Sequence, residues 1–140
     1  MIHFTINLTP KAQKRARSRA INSGGRSFAM TYKDPAQRKA EDTLIAMLME
    51  YRPPAPLDGP LCLEIKAYLP IPASKSNKWK AQAAAREIRP ITKPDNTNLA
   101  KNLEDCMTLA GFWIDDRQIV TLTIEKFYGE PRWEIALKSV

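Results

Sequence analysis

The 140-residue chain has few of the residues on which several common kinds of site depend. It contains one histidine and two cysteines, and Cys62 and Cys106 stand far apart within apolar segments. This spacing excludes the paired Cys/His pattern of a structural zinc site, and we expect two reduced core thiols in a cytosolic protein. No apolar run approaches the ~20 residues of a membrane-spanning helix, so a cytoplasmic protein without a membrane partner is predicted.

Acidic residues are also scarce relative to basic ones. The chain has 22 Lys and Arg against 15 Asp and Glu, a formal charge of +7. Residues 10–40 hold nine of the basic residues and residues 70–96 hold six. Such clustering favours a nucleic-acid-binding surface over a merely solvated one. The residues predicted to contact DNA are Lys11, Lys14, Arg15, Arg17, Arg19, Lys75, Lys78, Lys80 and Lys93.

Hydrophobic periodicity predicts the main elements. Alternating apolar residues indicate strands near residues 2–8, 61–69, 120–124 and 133–137, and 3.6-residue spacing indicates helices after Asp34-Pro35 and over residues 98–110. The arginine-rich segment around Gly24-Gly25 is predicted to be a mobile arm or long loop, and residues 81–87 of a basic insertion to be helical. The expected fold is a single α+β domain over residues 1–140: a mixed sheet of about four strands, two helices packed on it, and long basic loops.

Acidic residues bracket the second helix, which is unexpected in a basic protein. Asp95 stands where the chain enters the helix, Asp115 and Asp116 follow its end, and Lys101 lies between them. Carboxylate oxygens suit Mg²⁺, which keeps waters and accepts a substrate phosphate. If the following strands pack beside the helix, both acidic groups converge. Taken singly, however, they also fit a helix cap, a polar turn and a surface pair between Lys101 and Asp105.

The order and spacing of these residues closely resemble the RusA-like family of Holliday junction resolvases. The resemblance rests on Lys-Pro-Asp-x-x-Asn-Leu-x-Lys from Lys93 and on Ala-Gly-Phe-Trp-Ile-Asp-Asp-Arg-Gln-Ile from Ala110. It implies a homodimeric, magnesium-dependent endonuclease (manganese being a possible substitute) that cuts four-way junction DNA by paired nicks in recombination and repair, as many phage and prophage proteins do. It also implies catalytic roles for Asp95, Lys101 and Asp116. Asp95 and Asp116 are expected to hold the metal ion, with Asp105 and Asp115 as further metal-binding acids.

One position departs from the family pattern. The family has Asp-x-Asp-Asn, whereas Thr97 occupies the second aspartate position here and brings no charge. Metal binding is therefore expected to weaken unless Asp105, Asp115 or Glu104 substitutes. Two alternatives remain open at this point. One is a junction- or duplex-DNA-binding protein that has lost catalysis, and the other is an RNA-binding module, which the scarcity of stacking aromatics in the basic segments disfavours.

Overall fold

The computed structural model describes residues 1–12, 17–23, 26–32 and 35–140. Its larger sheet has four strands. In spatial order these are β1 (Ile2–Ile6), β6 (Arg132–Ser139), β4 (Leu61–Leu69) and β5 (Ile119–Tyr128). β4 pairs with β6 in antiparallel and with β5 in parallel register, so the sheet is mixed. The α+β class and the four-stranded mixed sheet predicted from the sequence are confirmed.

Two long helices cover one face of this sheet. α1 (Pro35–Met49) and α3 (Asn96–Ala110) pack against each other and against the inward residues of the strands. The core between these layers is apolar and contains Phe4, Leu48, Leu63, Leu103, Trp113, Trp133 and Ile135 among its fully or nearly fully buried members. Both cysteines are buried and neither forms a disulfide bond, as expected. Within the described part of the chain, no helix is long and apolar enough to cross a membrane.

α3 begins and ends where its sequence indicates. Asp95 is its N-cap, and its carboxylate accepts a hydrogen bond from the Asn98 backbone N–H at 3.0 Å. Gly111 ends the helix in the left-handed conformation at φ 95°, which a residue with a side chain rarely adopts. Its N–H donates to the carbonyl oxygens of Met107 and Thr108. These two caps fix where the flanking acidic residues enter and leave the helix.

The arginine-rich segment differs from the sequence prediction. A loop was expected, but β2 (Arg17–Ser23) and β3 (Arg26–Tyr32) form a separate antiparallel hairpin. Ser23 pairs with Arg26, which leaves two glycines between the strands, and Gly-Gly is a sequence that short hairpin connections favour. The predicted loop is therefore wrong over these two strands, because the two segments pair with each other along their whole length.

The second basic segment contains a third helix. α2 (Asn77–Ala84) begins four residues earlier and ends three residues earlier than the predicted helical stretch. Ser76 caps it, and its Oγ accepts a hydrogen bond from the Trp79 N–H at 3.2 Å. After the helix, the Arg86 guanidinium lies 4.5 Å from the centre of the Phe127 ring and donates to the Tyr68 hydroxyl at 2.7 Å. Stacking on the sheet therefore anchors a segment that sequence reasoning left without a packing partner.

Candidate active site

A polar stripe runs along one side of α3. Thr97, Lys101 and Glu104 follow one another at four- and three-residue spacing, which places their side chains on one face of a helix. Thr97 and Lys101 are exposed and Glu104 is partly buried. The other face carries Leu99, Leu103 and the rest of the helix's buried core residues. The core therefore fixes the rotation of the helix, and with it the direction in which the stripe faces.

Asp95 stands at the amino-terminal end of this stripe. Besides capping the helix, it is exposed, so its carboxylate remains accessible to solvent. The next residue fastens the helix to the sheet, because the Asn96 side-chain amide donates to the Ile124 carbonyl at 3.4 Å. β5 thus fixes the position of the first turn of α3, and Asp95 with it.

The segment that leads into Asp95 is held by one side chain of the same strand. The Lys126 ammonium donates to the carbonyl oxygen of Thr92 at 3.0 Å and to that of Pro94 at 2.8 Å. The Lys126 carbonyl in turn accepts from Nε of Arg89 at 2.9 Å. We call residues 89–94 the clamped loop, since both the backbone and the side chain of Lys126 fasten it to β5.

Asp115 and Asp116 lie at the far end of the stripe, where the chain turns into β5. Residues Asp116–Gln118 form a short 3₁₀ turn that Asp115 caps by accepting the Arg117 N–H at 2.9 Å. The Gln118 side chain completes a capping box, because it accepts a hydrogen bond from the Asp115 N–H at 3.1 Å. These hydrogen bonds and an ion pair with Arg117 at 3.1 Å lower the pKa of Asp115. The Asp115 carboxylate is thus committed to the turn, while the neighbouring Asp116 is exposed.

Glu104, the last residue of the stripe, lies near Asp116 of this turn. Its partial burial raises the pKa of its carboxyl group, and the nearby charges of Asp116 and Asp105 raise it further, while Lys101 acts in the opposite direction. Asp105, Asp115 and Asp116 also line one cavity of about 350 Å³. The folded chain therefore gathers Glu104, Asp105 and Asp116 on one side of Lys101.

Asp95 lies on the other side of that lysine. Nine residues separate it from Glu104, which corresponds to about 13 Å along a helix axis. Lys101 falls between the two acidic ends of the stripe, roughly one and a half turns beyond the cap and three residues before Glu104. The site is thus elongated, with a cation near its centre and carboxylates at both ends.

Comparison with known proteins assigns the chain to a family. Residues 7–138 match the family described as Endodeoxyribonuclease RusA. The chain belongs to the RusA family. It is also 35% identical to the Uncharacterized protein YqaN of Bacillus subtilis (strain 168) over an alignment of 143 residues. This alignment covers 99% of this chain and 96% of that protein. The family assignment predicted from the residues around Asp95 and Asp116 is confirmed, and it makes this chain a member of an endodeoxyribonuclease family.

The family implies a divalent metal ion, and the carboxylate oxygens of this site are donors of the kind that hard divalent cations take. Among the described residues, no group of three or more His, Cys, Asp or Glu side chains is arranged to hold a metal ion. Magnesium does not require such a group, since it keeps several waters and often takes only one or two carboxylates plus substrate phosphates. Glu104 and Asp116 are two carboxylates whose mutual repulsion a cation would relieve.

The predicted DNA-contacting residues belong to several elements of the fold. Lys11 is exposed, and its carbonyl accepts from the Asn102 side chain at 2.9 Å, directly beside Lys101 in the chain. Lys93 is exposed in the clamped loop. The Lys75 ammonium lies 5.1 Å from the centre of the Trp79 ring, so it is fixed near α2. The remaining predictions are Lys78 and Lys80 on α2, Arg17 and Arg19 on β2, and Lys14 and Arg15, which lie outside the described residues.

Two residues of this site were underestimated from the sequence. The sequence predicts Glu104 only as a substitute ligand, although its spacing from Thr97 and Lys101 already places all three on one helix face. Lys126 was not singled out at all. No sequence signal indicates its role, because the carbonyls that it binds belong to a segment more than thirty residues earlier in the chain.

Proposed function

We propose that this RusA-family protein is a magnesium-dependent, structure-selective endonuclease that resolves Holliday junctions by paired nicks. The observation that carries the proposal is the grouping of Glu104 and Asp116 beside Lys101, within the segment that resembles the family's core. An elongated acidic site in a chain of charge +7 suits a substrate that is itself a polyanion. We place the activity in the cytoplasm, in DNA recombination and repair.

The proposed division of labour follows the position of each side chain. When bound, a magnesium ion would activate water and neutralise charge on the scissile phosphate. Asp116 and Glu104 would hold it, with Asp105 as a neighbouring acid, and Asp95 at the helix N-terminus is the further catalytic aspartate that the resemblance implies. Lys101 would donate to a non-bridging or leaving oxygen as negative charge develops there. Asp115 contributes mainly by capping the turn that orients Asp116.

The substrate is proposed from the distribution of positive charge. Lys11 is joined to α3 through Asn102, and Lys93 lies two residues before Asp95. We infer that the basic residues of α2 and β2 extend the surface on which duplex arms would lie. Contacts of this kind bind phosphates and recognise shape rather than base sequence. A four-way junction that is cut symmetrically requires two sites related by a two-fold axis, so we propose a homodimer.

A nicking assay on matched DNA substrates tests this function. A synthetic four-way junction and a linear duplex containing the same sequences should be incubated with magnesium, each strand carrying its own label. We expect nicks in two opposing strands of the junction, little cutting of the duplex, and no cutting when a chelator replaces the metal. Equal nicking of both substrates would contradict structure selectivity, and nicking in excess chelator would contradict metal dependence.

A second function is favoured by one residue. Thr97 stands where the family pattern has an acid, and this leaves the stripe with one carboxylate fewer next to Asp95. A protein with this change could bind junctions without cutting them. Inactivity with several divalent metals, together with intact and preferential junction binding, would support the binding protein over the enzyme.

A further inference from the structure

Ile91 is the most exposed large apolar side chain in the described part of the molecule. Its exposed fraction is 95%, although the preceding residue, Pro90, is buried. A single exposed apolar residue is common on protein surfaces and does not by itself indicate a function. What distinguishes Ile91 is the way in which its backbone is held.

The clamped loop fixes the chain on both sides of Ile91. On one side, Arg89 donates to the Lys126 carbonyl at 2.9 Å, forms an ion pair with Glu125 at 3.5 Å, and stacks 4.3 Å from the centre of the Phe127 ring. On the other side, the Lys126 ammonium donates to the carbonyls of Thr92 and Pro94. All of these partners belong to β5. Ile91 therefore projects from a segment whose position is set before any ligand binds.

The surroundings of this side chain are those of a nucleic-acid contact. Lys93, two residues later, is exposed and available to a phosphate, and Asp95, four residues later, opens the acidic stripe. Proteins that distort DNA insert an apolar side chain between adjacent bases while nearby cations hold the backbone. Since the loop is already ordered, binding would lose little conformational entropy there.

We propose that Ile91 inserts at the branch point of a DNA junction and unstacks the base step next to the strand that reaches the acidic site. Unstacking is least costly where stacking is already interrupted, as it is at a branch point, and most costly in a continuous duplex. Ile91 is thereby a specificity-determining residue, which distinguishes a junction from a duplex by the ease of opening a base step. This inference rests on the proposed function, because it presupposes a branched DNA substrate.

Fluorescence of 2-aminopurine tests the insertion without cleavage. The base analogue is placed at the branch point of a four-way junction, and the protein is added in excess chelator so that no strand is cut. Because stacking quenches 2-aminopurine, we expect wild-type protein to raise its fluorescence several-fold, and we expect no rise in a linear duplex that carries the analogue in the same sequence. Ile91→Ser should bind the junction but lose most of the rise, whereas Ile91→Leu should keep it.

The controls separate this inference from the proposed function. Met49→Ser removes another exposed apolar side chain, at the end of α1, and should leave the fluorescence rise unchanged. The thermal unfolding midpoint of Ile91→Ser should equal that of the wild type, since the side chain has almost no contacts to lose. A rise of wild-type size in Ile91→Ser, or no rise with wild-type protein bound to the junction, overturns the role of Ile91 alone. Failure of the wild type to prefer the junction over the duplex overturns both.

Discussion

The Asp116 carboxylate lies close enough to Glu104, across the turn between α3 and β5, to raise the pKa of the glutamate. Burial of Glu104 acts in the same direction and is the larger cause, whereas the nearby Lys101 ammonium lowers the pKa. Burial and a neighbouring like charge both disfavour the ionised form of Glu104, so this arrangement is destabilising in the absence of a cation. Their position is explained if a cation binds between them during function.

Replacing Glu104 with glutamine should stabilise the protein at neutral pH. Because the folded-state pKa of Glu104 is raised, the folded protein holds this proton more tightly than the unfolded chain does. The resulting decrease in the free energy of unfolding is absent below the ordinary glutamate pKa of 4.5 and develops as the pH rises through the folded-state pKa. Thermal unfolding should therefore show a higher midpoint for Glu104→Gln at pH 7 and equal midpoints near pH 4. Equal midpoints at both pH values would contradict a raised pKa of Glu104 in the folded protein.

Magnesium should act in the opposite way on the same two proteins. A ligand that binds only the folded state raises its unfolding midpoint, so millimolar magnesium should stabilise the wild type. Glu104→Gln lacks one of the proposed donor oxygens and should respond much less.

The main elements of the fold follow from the sequence where a local signal agrees with burial. α3 was predicted nearly in full, because its apolar spacing, the Asp95 cap and Gly111 all indicate the same helix. The hairpin was missed because arginines within its strands suggested a solvated arm, although Gly24-Gly25 was a turn signal. Its pairing is a contact between segments and is not encoded in either strand alone.

The candidate site could likewise be predicted from the sequence only in part. Asp95, Lys101 and Asp116 were selected from spacing and family resemblance, and their roles remain predictions. The neighbourhood of Glu104 and Asp116 was not predictable in detail, because it depends on how the 3₁₀ turn aims one carboxylate toward the helix. The hydrogen bonds of Lys126 to Thr92 and Pro94 depend on the path of a long insertion, for which the sequence offers no local rule.

Thr97→Asp tests whether the site is limited by a missing carboxylate. Thr97 lies one turn before Lys101 on the exposed side of α3, so an aspartate there would add a charge at the Asp95 end. If that end lacks a ligand, magnesium should bind more tightly and the nicking rate should rise. If Glu104 already replaces the missing acid, the new charge adds only repulsion, and the rate should stay level or fall. Because Glu104 and Asp116 are the proposed magnesium ligands, and Thr97 lies about two helical turns before Glu104, we expect the second outcome. Thr97→Asn is the uncharged control.

Lys101→Ala should reduce turnover much more than junction binding. A lysine that stabilises charge developing on the phosphate interacts most strongly in the transition state, so its loss lowers kcat by about a hundredfold or more. Lys101→Arg keeps the charge and should recover part of the rate. Single-turnover nicking at saturating enzyme, compared with the dissociation constant for the junction, separates the two effects. An equal loss in both would make Lys101 a simple phosphate contact.

Junction binding should weaken steeply with salt. If six of the fifteen basic residues in the two basic segments contact phosphates, affinity should fall about a thousandfold between roughly 50 and 200 mM salt. Neutralising Arg15, Arg17 and Arg19 together should lower both the affinity and the slope of this dependence. Circular dichroism checks that the triple variant stays folded. A flat salt dependence in the wild type would contradict an electrostatic DNA-binding surface.

Nicking of a four-way junction by Asp116→Asn, in parallel with the wild type, is the most direct test of metal-dependent catalysis at this site. The substitution removes a proposed metal donor and a charge that repels phosphate. Glu130→Gln removes an exposed acid in the turn at the far end of β5 and serves as the matched control. We predict that the wild type and Glu130→Gln nick the junction with magnesium, and that Asp116→Asn binds it at least as tightly without cutting it. Full nicking activity in Asp116→Asn would contradict the proposed site.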